Sequence, residues 1–253
     1  MHTAARVHQM QETVNDPLRE YCSTNTTGTL CLLESAQLAG VKKFIFLSSI
    51  KVNGESTTDK PFSELDVPCT EDPYGLSKWE AEQGIAELCK SSATDYTIVR
   101  LPLVYGYGVK ANFAKLIKLV NSKIPLPMGA INNKRSLLYI GNLTAALQAI
   151  IQNPNSKNKT YLLSDNNDVS TPDLVRAIAV AYGIKPKLIA VPVFLFKLLG
   201  IVTRKQKAIS RLLGSLQVDS SKIRHDLNWQ PPYTVAAGLA EMVSFERENS
   251  CKN

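Results

Sequence analysis

Lys43-Phe-Ile-Phe-Leu-Ser48-Ser49-Ile-Lys-Val-Asn-Gly54 is the stretch that decides the fold. Four consecutive apolar residues, without the two-residue alternation of a half-exposed strand, suit a strand buried on both faces of a parallel sheet. Upstream, Asp16 and Pro17 supply an N-cap with proline at the first helical position, and Gly40 supplies a stop, so residues 17–39 read as one long helix. Downstream, a connection through Pro61, Pro68 and Pro73 leads to a helix from about Tyr74 to Lys90, followed by the strand Thr97-Ile-Val-Arg100. The unit is β-loop-α-β, and its loop is long enough to point to function rather than linkage.

The alternation continues outward. Leu137-Leu-Tyr-Ile140 reads as a strand, 142–152 as a helix and Thr160-Tyr-Leu-Leu163 as a strand, and Ser170-Thr171-Pro172 caps another helix. From about 184 the pattern loosens into short elements and closes in an amphipathic helix after Thr234. The most apolar run, Leu188 to Val202, is interrupted by Pro192 and Lys197 and is expected to form a short core helix. The fold class is α/β: residues 1–165 carry the sheet together with some segments of a second lobe, and 166–253 make mainly that smaller C-terminal lobe.

Composition bounds the function. A chain of 253 residues, 44% hydrophobic and 20% charged, can bury a sizeable core. The net charge of +7 suits an anionic partner, but the basic residues are scattered and no nucleic-acid-binding motif accompanies them. No run approaches the roughly 18–20 apolar residues of a membrane span. Cys22, Cys31, Cys69, Cys89 and Cys251 are odd in number and form neither a C-x-x-C pair nor a His-associated cluster, so neither a disulfide framework nor a metal site is expected. A reducing cytoplasm fits this usage. His2 and His8 are assigned no role.

Tyr74 and Lys78 form a Y-x-x-x-K pair whose spacing puts both side chains on one helix face. A nearby ammonium favours the phenolate, which makes Tyr74 a candidate acid/base and Lys78 its tuner. Spacing alone equally describes a packed tyrosine beside a solvated lysine. Ser48-Ser49 closes the preceding strand, where ligands of open α/β sheets bind, and a hydroxyl there can hold a substrate oxygen against the phenol. The other reading is a simple strand exit with local backbone bonds.

Phe-Leu-Ser48-Ser49-Ile-Lys-Val-Asn-Gly54, Asp72-Pro-Tyr74-Gly-Leu-Ser-Lys78 and Arg100-Leu-Pro-Leu-Val-Tyr-Gly106 resemble, in order and spacing, the NAD-dependent epimerase/dehydratase group of extended short-chain dehydrogenases. His2-Thr-Ala-Ala5, Asn25 with Gly28-Thr29, and Arg135 before Leu137-Leu138 extend the resemblance over nearly the whole chain. It implies a Rossmann-like doubly wound parallel sheet and an NAD or NADP cofactor. It also implies chemistry at C4 of a UDP-sugar, either epimerisation or 4-keto reduction. The strings through Glu55 and through Asn112-Phe113 look most like bacterial enzymes acting on UDP-hexoses and UDP-N-acetyl-6-deoxyhexosamines, as in cell-surface polysaccharide synthesis.

Carried onto this sequence, the resemblance implies Tyr74 as acid/base, Lys78 on the nicotinamide ribose while depressing the tyrosine pKa, and Ser49 on the reacting sugar oxygen. Ala4 and Ala5 would lie against the cofactor, with Asn25 beneath the catalytic residues. Asn112 and Arg135 would hold the nucleotide diphosphate, and a homodimer is left open. The family's glycine-rich turn after its first strand matches nothing in this chain. The resemblance therefore implies that roughly 60–75 residues precede this start. The expectation is a poorly stable and inactive fragment whose Phe44, Ile45 and Phe46 lose neighbours. A non-enzymatic sugar-nucleotide-binding or interaction module that has lost NAD binding is the alternative.

Overall fold

The structure, a computed structural model, describes residues 1–7, 16–70 and 72–250, so His8 and Cys251 lie outside the described residues. Its centre is a parallel sheet in the order β1 (Lys43–Ser49), β2 (Asp95–Leu101), β5 (Lys159–Leu162). β1 and β2 pair in register from Lys43 opposite Asp95 to Ser49 opposite Leu101. On the other side of β1, residue 2 forms a parallel bridge with Phe46, donating its backbone N–H to the Ile45 carbonyl at 2.8 Å. The Rossmann-like parallel sheet is as the sequence predicts.

Pro102 lacks an N–H and ends β2. Beyond it β3 (Leu103–Tyr105) leaves the sheet and pairs in parallel with β4 (Leu137–Tyr139), a small second sheet that the sequence reading did not separate. Asp165 ties the two regions together: its carboxylate accepts from the Tyr139 N–H, the Asn142 amide and the Tyr105 hydroxyl.

Residues 17–39 do not form one regular helix. α1 (Pro17–Tyr21) and α2 (Gly28–Leu38) are joined by a wide π-helical segment, Cys22–Thr27. The start is as expected, since Asp16 accepts from the Arg19 N–H, and Gly40 takes the left-handed φ of 73° that a helix stop favours. The widening has a local cause. Asn25 and Thr26, both inside it, reach across to Ser77, and such insertions cluster at functional sites.

α3 (Pro73–Lys90) lies beside α2 over one face of β1 and β2. Phe44 and Phe46 bury there with Leu33, Ala81, Ile85 and Ile98, while Ile45 packs on the opposite face with Val99, Leu138 and Tyr161. The expectation that Phe44, Ile45 and Phe46 lose their neighbours is therefore corrected: all three are buried, because helices cover one face and the second sheet with α5 (Ile140–Gln152) covers the other.

A third core joins α4 (Ala111–Asn121), α6 (Thr171–Ala181) and α10 (Val235–Ser250) under β3 and β4. The remaining helices are α7 (Val193–Val202), α8 (Gln206–Leu213) and α9 (Ser221–Leu227). α7 exists where expected but is not a core helix: only Phe196 and Gly200 are buried, and its other large apolar side chains face solvent.

Candidate active site

Ser49 ends β1 and Tyr74 lies in the first turn of α3, and the chain between them is bent back so that the two residues come close together. Lys51 clamps the return by pairing with Glu55 and Asp72. Gly75 permits it: a Cβ there would stand 2.2 Å from Thr70 Oγ1 and 2.8 Å from the Lys51 carbonyl oxygen. The first turn of α3 thus rests directly on the loop that follows Ser49, which brings the Tyr74 phenol close enough to Ser49 for the serine to bear on its pKa.

Lys78 lies one turn further along α3 and is 2% exposed. Its ammonium donates to the Leu47 carbonyl at 3.0 Å and sits 4.4 Å from the centre of the Phe46 ring. Burial pulls its pKa down to about 8, against a smaller upward pull from Glu82. The Tyr74 pKa is raised, chiefly by burial, with Asp72 and Tyr21 adding to it and Ser49 opposing it. The expectation that Lys78 depresses the tyrosine pKa is corrected on this point. The ammonium is held under β1 by the Leu47 carbonyl, and desolvation of the phenol dominates.

Beneath these three residues is a polar network that sequence reasoning missed. Glu82, one turn beyond Lys78, accepts from the Ser48 hydroxyl and takes three hydrogen bonds from the Arg100 guanidinium, the shortest 2.7 Å. Arg100 Nη1 also donates to Asn53 at 3.0 Å, and the guanidinium lies 5.7 Å from the centre of the Trp79 ring. Both members of the ion pair are buried. The signal was present: Arg100 ends an otherwise buried strand, and Glu82 repeats the Tyr74–Lys78 spacing on the same helix face.

Asn25 is fully buried, and its contacts are all internal. Its amide donates to the Arg6 carbonyl and the Ser77 hydroxyl, both at 3.0 Å, and its oxygen accepts from the Arg6 N–H at 2.8 Å. It fastens the segment beside β1 to the helix between Tyr74 and Lys78, a positioning contact. Ala4 is exposed and Ala5 half-buried on that segment. Lys78 spends one of its three ammonium N–H bonds on protein among the described residues. An ammonium with donors to spare fits the ribose hydroxyls of a dinucleotide. The diphosphate half finds no glycine-rich turn in the chain.

Arg135 and Asn112 lie on other elements and do not touch the Ser49–Tyr74 pair through any hydrogen bond among the described residues. Arg135 Nη1 donates to the carbonyls of Arg211 at 2.8 Å and Gly214 at 3.2 Å, and burial lowers its pKa. It is therefore a half-buried cation with no carboxylate partner among the described residues. Asn112 is exposed in the first turn of α4, just after Ala111 at a φ of 55°, and its amide has no protein partner among the described residues.

Comparison with known proteins agrees with this geometry. The chain is 45% identical over 243 residues to a UDP-glucose 4-epimerase of Vibrio cholerae, covering 95% of this chain and 74% of the relative. It is 26% identical to an Escherichia coli O157:H7 N-acetyl-alpha-D-glucosaminyl-diphospho-ditrans,octacis-undecaprenol 4-epimerase, covering 91% and 73%. In fold it matches a Thermotoga maritima UDP-glucose 4-epimerase with UDP-glucose at a TM-score of 0.72 and 21% identity, over 94% of this chain and 74% of that one. It also matches a Bacillus cereus UDP-glucuronic acid 4-epimerase in complex with NAD at a TM-score of 0.73 and 18% identity, over 94% and 72%. The family profile for the NAD dependent epimerase/dehydratase family matches residues 1–164, and the chain belongs to that family.

Proposed function

We propose that this protein interconverts a UDP-sugar and its C4 epimer, with the reacting oxygen held between Ser49 and Tyr74. The observation that carries the reading is the juxtaposition of Ser49, at the carboxyl end of β1, with the buried Tyr74 phenol at the start of α3, and the Lys78 ammonium buried one turn away. The 45% identity to a UDP-glucose 4-epimerase supports a UDP-hexose over a UDP-N-acetyl sugar as the substrate.

A bound nicotinamide would accept the C4 hydride and return it to the other face. The chain's own residues do the rest. Tyr74 takes the proton of the C4 hydroxyl and later gives it back. Ser49 donates to the same oxygen and keeps it within reach of the phenol. Lys78 fixes the ribose of the cofactor. Arg135 offers a desolvated guanidinium to the diphosphate, a pairing its fork geometry favours, and Asn112 adds an amide. The raised Tyr74 pKa keeps the phenol protonated in the empty site, so its own proton must pass to solvent before it can take the C4 proton, a loss that the positive charge of a bound oxidised nicotinamide would favour.

The test uses the chain fused behind a strand–turn–helix bearing the family's glycine-rich turn, supplied with NAD and UDP-glucose. UDP-galactose should accumulate with no net gain in NADH absorbance, since an epimerase returns its hydride whereas a reductase consumes reduced cofactor with each turnover. Tyr74→Phe should lower turnover at least about a hundredfold with little change in UDP-sugar affinity, as general acid–base catalysis typically contributes 10²–10⁴. Absence of product in a fusion that demonstrably binds NAD, or near-normal turnover of Tyr74→Phe, overturns the reading.

A further inference from the structure

α7 is the most exposed apolar element of the molecule. Phe194 (64%), Leu198 (55%), Ile201 (59%) and Val202 (73%) project into solvent, flanked by Leu195 and Leu199, while Phe196 and Gly200 face inward and Gly200 seats the helix against Ile209 of α8. On a 3.6-residue helix these exposed positions form one continuous arc, with Lys197 at its rim. A monomeric soluble protein rarely leaves so many large apolar side chains together in water.

The segment that carries this face is basic. Residues 174–218 contain no Asp or Glu and eight Lys or Arg. Of these, Arg176 pairs with Asp173 and Arg211 with Glu55, whereas Lys185, Lys187, Lys197, Arg204 and Lys205 have no ion pair among the described residues. A contiguous apolar arc with Lys197 at its rim and the exposed Arg204 and Lys205 directly after the helix suits an element that lies in the headgroup plane of an anionic bilayer. α7 has 10 residues, and no described helix is long and apolar enough to cross a membrane.

We propose that the α7–α8 hairpin is a peripheral docking surface for an anionic lipid bilayer, with the arc of α7 entering the headgroup region and the surrounding lysines and arginines meeting lipid phosphates. A second copy of this chain would bring the same cations against it. The anionic lipid surface is the occupant whose charge complements these cations.

The test is co-sedimentation of the 253-residue protein with phosphatidylglycerol/phosphatidylcholine vesicles and with pure phosphatidylcholine vesicles. The protein should pellet with the anionic vesicles and stay mostly in solution with the neutral ones, and added salt should release it. Phe194→Ser/Leu198→Ser/Ile201→Ser and, separately, Lys197→Glu/Arg204→Glu/Lys205→Glu should each lower partitioning by about tenfold or more. All six positions are exposed, so circular dichroism spectra should remain unchanged. The proposal is overturned if the unaltered protein ignores both vesicle types, binds both equally, or binds as well after the serine substitutions. It is overturned as well if the protein sediments as a dimer that the serine substitutions dissociate while no vesicle binds, because the arc is then a contact between copies.

Discussion

Lys78 stores a cost that pH reveals. Its ordinary pKa of 10.5 falls to about 8 in the fold, so between those values the unfolded chain holds a proton the folded chain has lost. Stability from this group therefore rises as pH climbs from about 8 to about 10.5. Below pH 8 the fold bears the full desolvation cost, an upper bound of about 3 kcal/mol at 1.36 kcal/mol per unit. The other groups in its field are Glu82, which pulls the pKa back up, and His2, whose own pKa is lowered by burial first and by Lys78 second. Lys78→Met removes the buried charge at similar volume and forfeits the bond to the Leu47 carbonyl, a loss of about 1 kcal/mol. The first effect exceeds the second, so the variant should be more stable to urea at pH 7. The wild-type-minus-variant difference should close through the alkaline window. A flat difference from pH 7 to 10.5 would show that the ammonium is not held in a low-dielectric site.

α3 carries Tyr74, Lys78 and Glu82 at successive four-residue steps, and the third of these fixes the other two. The Glu82–Arg100 pair docks the helix on β2, while Ser48, hydrogen-bonded to the same carboxylate, holds the end of β1 from which Ser49 projects. Glu82→Gln preserves shape but leaves Arg100 buried without its counter-charge, which should cost about 3–5 kcal/mol. Replacing both, as Glu82→Leu with Arg100→Met, should recover most of that loss, because desolvation of the pair offsets much of its attraction. Urea unfolding of the three proteins decides it; a loss under about 1 kcal/mol for Glu82→Gln would mean water reaches the pair. Elements were the most legible level of the sequence. β1, α3, β5 and the Ser170 cap of α6 fall within a residue or two of expectation, because apolar runs, proline and capping residues act locally. What escaped was set by distant partners. The π-helical segment answers to Arg6 and Ser77, and the departure of β3 into a second sheet depends on β4 more than 30 residues away.

At the scale of the whole molecule, the sequence conveyed which residues are apolar but not which apolar residues are covered. α7 was expected in the core and is exposed, and β1 was expected to be bared and is covered on both faces. Periodicity reports that a helix has an apolar face; burial depends on which other element arrives there. The candidate site shows the same division: the proposed Ser49, Tyr74 and Lys78 stand out by motif spacing, whereas the contacts of Glu82 with Ser48 and Arg100, and of Arg100 with Asn53, depend on the packing of α3 on the sheet. The same reasoning gives a prediction for the 253-residue chain on its own. On the proposed reading its contacts to a dinucleotide would be concentrated at the ribose–nicotinamide end, around Lys78, and the sequence contains no glycine-rich strand-to-helix turn to receive the pyrophosphate on backbone N–H groups. Those few contacts must offset the whole loss of translational and rotational freedom on association, estimated at 4–15 kcal/mol or more. We expect NADH to bind this chain more weakly than about 1 mM, a free energy of about −4 kcal/mol, and to bind in the micromolar range, about −8 kcal/mol, once a segment bearing the turn is fused to it. Calorimetric titration of both proteins measures the difference directly. Micromolar affinity for the unfused chain would mean that residues 1–253 contain a diphosphate seat other than a glycine-rich turn, and Arg135, a desolvated cation with no carboxylate partner among the described residues, would be the first residue to substitute in locating it.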